Sequence, residues 1–261
     1  MIRSAYVTAL FVSILTLKVS AQNPLPEVLS IREFEAADEA SSLVYINYLK
    51  QVAMIEERSF NGVHTMIARG ERGKRVNKFI NLWGFDFLAA RNYYFPGEDE
   101  ESYPQYTAHV LAHQRDIVAP KLPEGKIITS PAYGDFIILG YEKLLNPQFG
   151  EVVGVRYFEI ESSKQAEFEA HVINEVHPMY QKYIDGYWVY IGKSDRGSMK
   201  GKYVLLSVFD TYNRRQEYYP KPDKPAETLT KAAEPLTETF NKTAVFLGDQ
   251  DIPYTDYIIM R

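Results

Sequence analysis

Ile31-Arg32-Glu33-Phe34-Glu35 returns 124 residues later as Val155-Arg156-Tyr157-Phe158-Glu159, and that return decides how the whole chain is read. At the same shift Gly62 meets Gly186, Arg72-Gly73 meets Arg196-Gly197, Lys78 meets Lys202, and Phe85-Asp86 meets Phe209-Asp210. Arg91 then meets Arg215, and Tyr94-x-Pro96 meets Tyr218-x-Pro220. No gap is needed from Arg32 to Pro96, and 15 of those 65 positions are identical. Chance would supply roughly 4 in a chain of this composition, so the sequence holds an internal duplication. Near the end of each copy, Asp135-Phe136-Ile137-Ile138 is matched by Asp256-Tyr257-Ile258-Ile259 after a small deletion.

Each copy is then read by its periodicity. First strands are expected over Val28–Glu35 and Val152–Ile160, followed by helices over Asp38–Arg58 and Ser163–Tyr183. Gly62 and Gly186 close those helices and lead into second strands, Val63–Ala68 and Tyr187–Gly192. Glu71-Arg72-Gly73 and Asp195-Arg196-Gly197 read as turns before the third strands, Lys78–Phe85 and Lys202–Phe209. Loops rich in Pro, Gly and acidic residues come next, then second helices near Tyr106–Ile117 and Ala226–Phe240. Fourth strands end at Phe136–Leu139 and Tyr257–Met260. The order βαββαβ, twice, is the ferredoxin-like arrangement, an α+β fold.

In the third strands Ile80, Leu82 and Gly84 alternate with Phe79, Asn81, Trp83 and Phe85, while Val204, Leu206 and Val208 alternate with Tyr203, Leu205, Ser207 and Phe209. The aliphatic face suits packing helices, and the aromatic face, with its scattered polar groups, is expected to be covered as well. The two repeats are therefore expected to pack sheet to sheet as a pseudo-dimeric α/β barrel, with the aromatic faces inside.

Before this duplicated part, Arg3, an apolar run from Ala5 to Leu17 and the small residues Val19-Ser20-Ala21 have the form of a secretory signal peptide. The expected organisation is 1–21 signal peptide, 22–148 first repeat and 149–261 second repeat. Cleavage near Ala21 would make the chain an exported, periplasmic or extracellular protein with no transmembrane segment in its mature part. That mature part carries a formal charge of −7 without long blocks of one sign, which argues against nucleic acid as a partner. With no cysteine, disulfides and thiol chemistry are excluded, and stability must come from core burial.

Two fused ferredoxin-like units facing each other resemble the dimeric α/β-barrel superfamily in its tandem form. The stretch Phe168-Glu169-Ala170-His171, leading through Glu175-Val176-His177-Pro178 to Gly186-Tyr187-Trp188, is similar to NIPSNAP-like and antibiotic-monooxygenase-like domains. The resemblance spans both repeats. It implies one of several activities: cofactor-free oxygenation, haem chemistry of the chlorite dismutase type, or none.

A pocket is expected in the barrel interior, lined by Arg32, His64, Asn81, Trp83, Arg156, Trp188, Tyr190, Tyr203 and Ser207. Such walls suit a small aromatic or carboxylate-bearing molecule, with an arginine as its counter-ion. Three functions stay open: a small-molecule binding protein, an oxygenase or haem-dependent oxidoreductase using His64 or His171, and an interaction module presenting the acidic loops Gly97–Ser102 and Pro222–Glu227. Glu35, Glu159, Asp86 and Asp210 recur in both copies and are read as structural. His109 and His113 share a helix face, yet His-Val-Leu-Ala-His lacks the glutamate of a zinc protease helix, and no metal is expected. Phosphate-loop and serine-elbow motifs are absent as well.

Overall fold

The computed structural model describes residues 23–97, 126–222 and 224–260. The expected signal peptide, the helix near Tyr106–Ile117 with His109 and His113, and most of the loop Gly97–Ser102 lie outside the described residues.

The first half contributes β1 (Val28–Ala36), α1 (Glu39–Ser59), β2 (Val63–Gly73), β3 (Phe79–Phe85), α2 (Leu88–Tyr94) and β4 (Ile127–Ile138). The second contributes β5 (Val152–Phe158), α3 (Gln165–His171), a five-residue π turn (Val172–Val176), α4 (His177–Tyr183), β6 (Tyr187–Arg196) and β7 (Tyr203–Phe209). It ends with α5 (Tyr212–Tyr218), α6 (Glu227–Ala232), α7 (Thr237–Leu247) and β8 (Tyr254–Ile259). Asp38 caps α1 by accepting the Ser41 N–H at 2.7 Å, and Thr211 caps α5 by accepting that of Arg214. Pro178 has no N–H for the carbonyl one turn back, and the π turn just before it absorbs the defect. Pro235 likewise divides the expected single helix near Ala226–Phe240 into α6, a 3₁₀ turn and α7.

The eight strands form one closed antiparallel barrel in the order β8-β2-β3-β1-β4-β6-β7-β5. Each half keeps the ferredoxin-like order, and its fourth strand pairs with the second strand of the other half, so closure is within one chain. Asp135 sits opposite Arg196 across one seam and Asp256 opposite Arg72 across the other, with a register shift beside each aspartate. The stretches expected as turns, Glu71–Gly73 and Asp195–Gly197, are instead strand extensions or their immediate end. They must run on because the partner half's fourth strand needs an edge to pair with. Gly73 and Gly197 have φ of +96° and +75°, and a Cβ on either would collide with the carbonyl of Tyr254 or Tyr133 on that neighbouring strand.

Inside and outside are reversed relative to the sequence expectation. Leu29, Ile31, Ile80, Leu82, Val153, Val155, Val204 and Leu206 fill the barrel with Phe136, Tyr190 and Tyr257. The aromatic faces look outward: Phe34 and Phe79 pack beside Ile46 of α1, and Phe158, Tyr187, Tyr203 and Phe209 pack under α3, α4, α6 and their neighbours. An eight-stranded barrel has an interior just wide enough for side chains to fill, which favours compact aliphatic groups, whereas rings fit the wider gap between sheet and helix.

At each seam a guanidinium is buried. Arg91 (1 % exposed) reaches Asp135 of its own half at 2.9 Å and binds Asp195 of the other half through two bonds of 2.9 and 2.5 Å. Arg215 (0 %) pairs with Asp256 of its own half and Glu71 of the other. A second arginine crosses each seam the other way. Arg196 donates to the carbonyls of Phe95 and Gly97 and to Asn92, and Arg72 donates to the Tyr219 carbonyl at 2.6 Å and to Gln216 at 2.8 Å. No helix among the described residues is long and apolar enough to cross a membrane.

Removing one member of a buried ion pair typically costs about 3–5 kcal/mol. Arg91→Met is therefore expected to lose about that much stability by leaving Asp135 unpaired, and adding Asp135→Leu to recover part of it; urea unfolding of the three proteins tests this. His177 offers a pH test. Its Nε2 accepts the Ile191 N–H at 3.0 Å, and burial pushes the imidazole down to about 4 from 6.5. Between those values the unfolded chain takes up a proton that the folded one refuses, so stability falls as pH drops from 6.5 towards 4. The loss is about 3 kcal/mol from this group. His177→Gln keeps an acceptor and should flatten that part of the pH–stability curve.

Candidate functional site

The outer face of the second half's sheet carries a cleft. Arg156 on β5 lies opposite Tyr254 on β8, and its guanidinium rests 4.7 Å from the centre of the Tyr254 ring. One strand over, Ser207 on β7 accepts a 3.3 Å hydrogen bond from the Tyr187 hydroxyl of β6. These residues, with Arg72, Asp256 and Tyr219, line a polar recess of about 30 Å³. Tyr187 and Tyr219 also line a larger, mainly apolar cleft of about 300 Å³ under the helices, walled by Tyr180, Ile184, Leu229 and Phe240. That is the lower end of the size range of small-molecule sites.

The walls are held by ring packing. Tyr187 stacks on Phe209 at 4.5 Å and meets Tyr180 edge-on at 5.6 Å, while Tyr180 meets Phe240 at 5.7 Å. Burial raises the pKa of the Tyr180, Tyr187 and Tyr219 phenols, and the nearby Arg156 offsets this only in part. All three are therefore neutral hydrogen-bond donors at physiological pH. Arg72 is engaged with Tyr219 and Gln216, and Asp256 with Arg215. Arg156 differs from both: among the described residues it has the Tyr254 ring as partner and neither a carboxylate nor a hydrogen bond. A half-buried cation beside hydroxyl groups, in a recess that shares Tyr187 and Tyr219 with an apolar cleft, suits an acidic group on an apolar body.

The structure divides the nine residues expected in one pocket. Arg156 and Ser207 share the recess just described. Arg32 and Trp83 share its counterpart in the first half, with the guanidinium 5.2 Å from Trp83 and 4.8 Å from Tyr133. Asn81 lies beside them, opposite Arg32, and its side-chain oxygen is buried without a hydrogen-bond partner among the described residues. Tyr203 faces outward and donates to Glu169 at 2.7 Å. These six are thus on the helix side of the sheet, not in the barrel interior, because the aliphatic alternation took the inside. Tyr190 does point inward, and its hydroxyl accepts the Gln148 N–H. Trp188 packs against the same core, and His64, in the equivalent position of the first half, pairs with Asp86 at 2.8 Å.

Tyr180, Tyr187, Tyr219 and Tyr254 escaped the sequence reading. Tyr254 carried a signal, since it stands two residues before Asp256 as Tyr133 does before Asp135; the others stand among 20 tyrosines with nothing to mark them. The recurring carboxylates are tied up in both halves, Glu35 with Lys78 and Glu159 with Lys202. A second cavity, about 290 Å³, opens at the barrel mouth between Glu33, Arg75, Lys78 and Tyr157, but its charges are paired internally. Among the described residues, the histidines of the second half are engaged within the fold. His171 is buried between Thr243 at 2.9 Å and Glu175 at 3.1 Å, His177 is spent on Ile191, and no imidazole among the described residues lines the cleft. No group of side chains among the described residues could hold a metal ion.

No protein-family profile matches the chain, and no curated protein matches it by sequence. Solved structures do match by shape. A proposed monooxygenase from Lactobacillus acidophilus superposes with a TM-score of 0.52 at 11% identity, over 89% of this chain and 93% of the other. A proposed monooxygenase from Fusobacterium nucleatum gives 0.48 at 11% identity (90% and 92% covered), and a proposed chlorite dismutase 0.47 at 13% (91% and 96%). The Lactobacillus likeness agrees with the strand order: the fold is the ferredoxin-like dimeric α/β barrel, here in tandem within one chain.

Proposed function

We propose that the chain binds a small molecule with an aromatic or apolar body and one acidic group, in the helix-side cleft of its second half. The observation that carries this reading is Arg156, a cation without a carboxylate partner among the described residues, in a polar recess that shares the Tyr187 and Tyr219 walls of an apolar cleft. The packed barrel does not weaken it, because the cleft lies outside the barrel. The two halves, 22–148 and 149–261, are read as the duplicated units, and NIPSNAP-like domains as their relatives. An oxygenase acting on the same bound molecule is the second reading, favoured by the fold shared with the proposed Lactobacillus monooxygenase. Oxygen uptake with phenolic acids that is lost in Arg156→Gln would move the assignment from binding to catalysis. Export is proposed from residues 1–21 alone, and N-terminal sequencing of the secreted protein is expected to start at Gln22.

The binding reading is tested by calorimetry with naphthalene-2-carboxylate and its uncharged counterpart naphthalene-2-methanol. The acid should bind at one site, and Arg156→Gln should weaken it about 10- to 100-fold, the worth of a charge-assisted hydrogen bond. The alcohol should bind weakly and alike in both proteins. Equal affinity for acid and alcohol, or indifference to Arg156→Gln, would count against the proposal.

A further inference from the structure

The two halves finish the barrel mouth differently. Leu29 and Ile31 point inward from β1, and Glu33, the next residue on that face, carries the run to the mouth. Glu33 is only 6 % exposed, and among the described residues its ion-pair partner is Arg75 of the β2–β3 hairpin. The duplication puts Tyr157 where the first half has Glu33, and Met199 where it has Arg75. Met199 packs against the barrel core and the Tyr157 ring stacks on Phe136 at 5.8 Å, so the second half contributes apolar packing here. The first half contributes charge, and the cavity of about 290 Å³ lies between Glu33, Lys74, Arg75, Lys78 and Tyr157. Among the described residues its lining holds three cations and one carboxylate. Glu33 balances Arg75. The carboxylates paired with the other two cations stand outside the lining, Glu35 at 2.5 Å from Lys78 and Asp251 at 3.5 Å from Lys74. Both pairs are open to water, and such pairs contribute about 0–1 kcal/mol.

We infer that the barrel mouth is a second binding site, which takes a small dianion, a short dicarboxylate or a phosphate monoester, between Lys74, Lys78 and the Tyr157 hydroxyl. An incoming anion replaces Glu35 or Asp251 as partner of a lysine at little cost, because those exposed pairs are weak. With Glu33 set against Arg75, two positive charges of the lining remain, which favours a dianion over a monoanion. The Tyr157 hydroxyl borders the cavity without a hydrogen-bond partner among the described residues and is free to donate to the ligand. The cavity is at the lower end of the size range of small-molecule sites, which suits a molecule of a few carbon atoms. Arg156 and the helix-side cleft have no part in it, so this site stands independently of the binding reading above.

Calorimetry on the full chain in low-salt, phosphate-free buffer tests this with succinate, and with butyrate as the matching monoanion. Succinate should bind at one site, at least about tenfold more tightly than butyrate. Lys78→Gln should weaken succinate about tenfold or more, the worth of a charge-assisted hydrogen bond, and Tyr157→Phe about fivefold. Lys202→Gln breaks the matching pair with Glu159 in the second half, outside the cavity, and should leave succinate binding unchanged, as should Arg156→Gln. Inorganic phosphate separates the two ligand sources: tighter binding than succinate assigns the site to phosphate monoesters, weaker binding to dicarboxylates. Equal affinity for succinate and butyrate, a loss in Lys202→Gln as large as in Lys78→Gln, or a wild-type chain that binds neither dianion would overturn the site. Loss confined to Arg156→Gln would place the anion in the helix-side cleft and overturn it too. Should Lys78→Gln fail to fold, Tyr157→Phe decides in its place.

Discussion

Arg91 and Arg215 are charged groups withdrawn almost wholly from water, and the architecture follows from what that withdrawal demands. A buried guanidinium is tolerated only with carboxylates placed around it. Each of these arginines takes one from its own fourth strand and one from the second strand of the other half. Satisfying that demand requires β2 and β6 to continue past the point where an isolated ferredoxin-like unit could turn. The extensions then supply the edge with which β4 and β8 pair, and the barrel closes. Its closure sets which face of every strand is interior, where the helices lie, and where a cleft can form.

Duplication gives each of these parts a counterpart, and the comparison separates two kinds of residue. Arg91 and Arg215, Asp135 and Asp256, Arg72 and Arg196, and the glycines after them recur because both seams obey the same geometry. The pairs Glu35–Lys78 and Glu159–Lys202 recur at the strand ends. Residues around the two recesses are under no such common demand. There Trp83 stands where the other half has Ser207, and Phe95 where it has Tyr219, so rings border one recess and hydroxyl-bearing side chains the other.

The barrel and its surroundings also differ in character. The interior is packed mainly by aliphatic chains, with Phe136, Tyr190 and Tyr257 among them. The helix layer of the second half is assembled from interrupted pieces: a π turn before Pro178 and a 3₁₀ turn at Pro235, with Tyr180 and Phe240 on either side of the cleft.

The duplication, the order of elements and the α+β class were legible in the sequence because two copies of one unit constrain each other position by position. The short helices α2 and α5 were not, since seven tyrosine-rich residues show no helical period. Period-two alternation showed that each strand has an aliphatic and an aromatic face, but it is silent on which face meets a second sheet. Only closure decided that, because the inside of an eight-stranded barrel favours compact side chains and sends most of the rings to the helices. Arg156 and Ser207 were expected to line one pocket from their chemistry alone, and the structure places both in one recess. Their meeting with Tyr180, Tyr187 and Tyr219 depends on contacts between segments far apart in the chain, which no local pattern records.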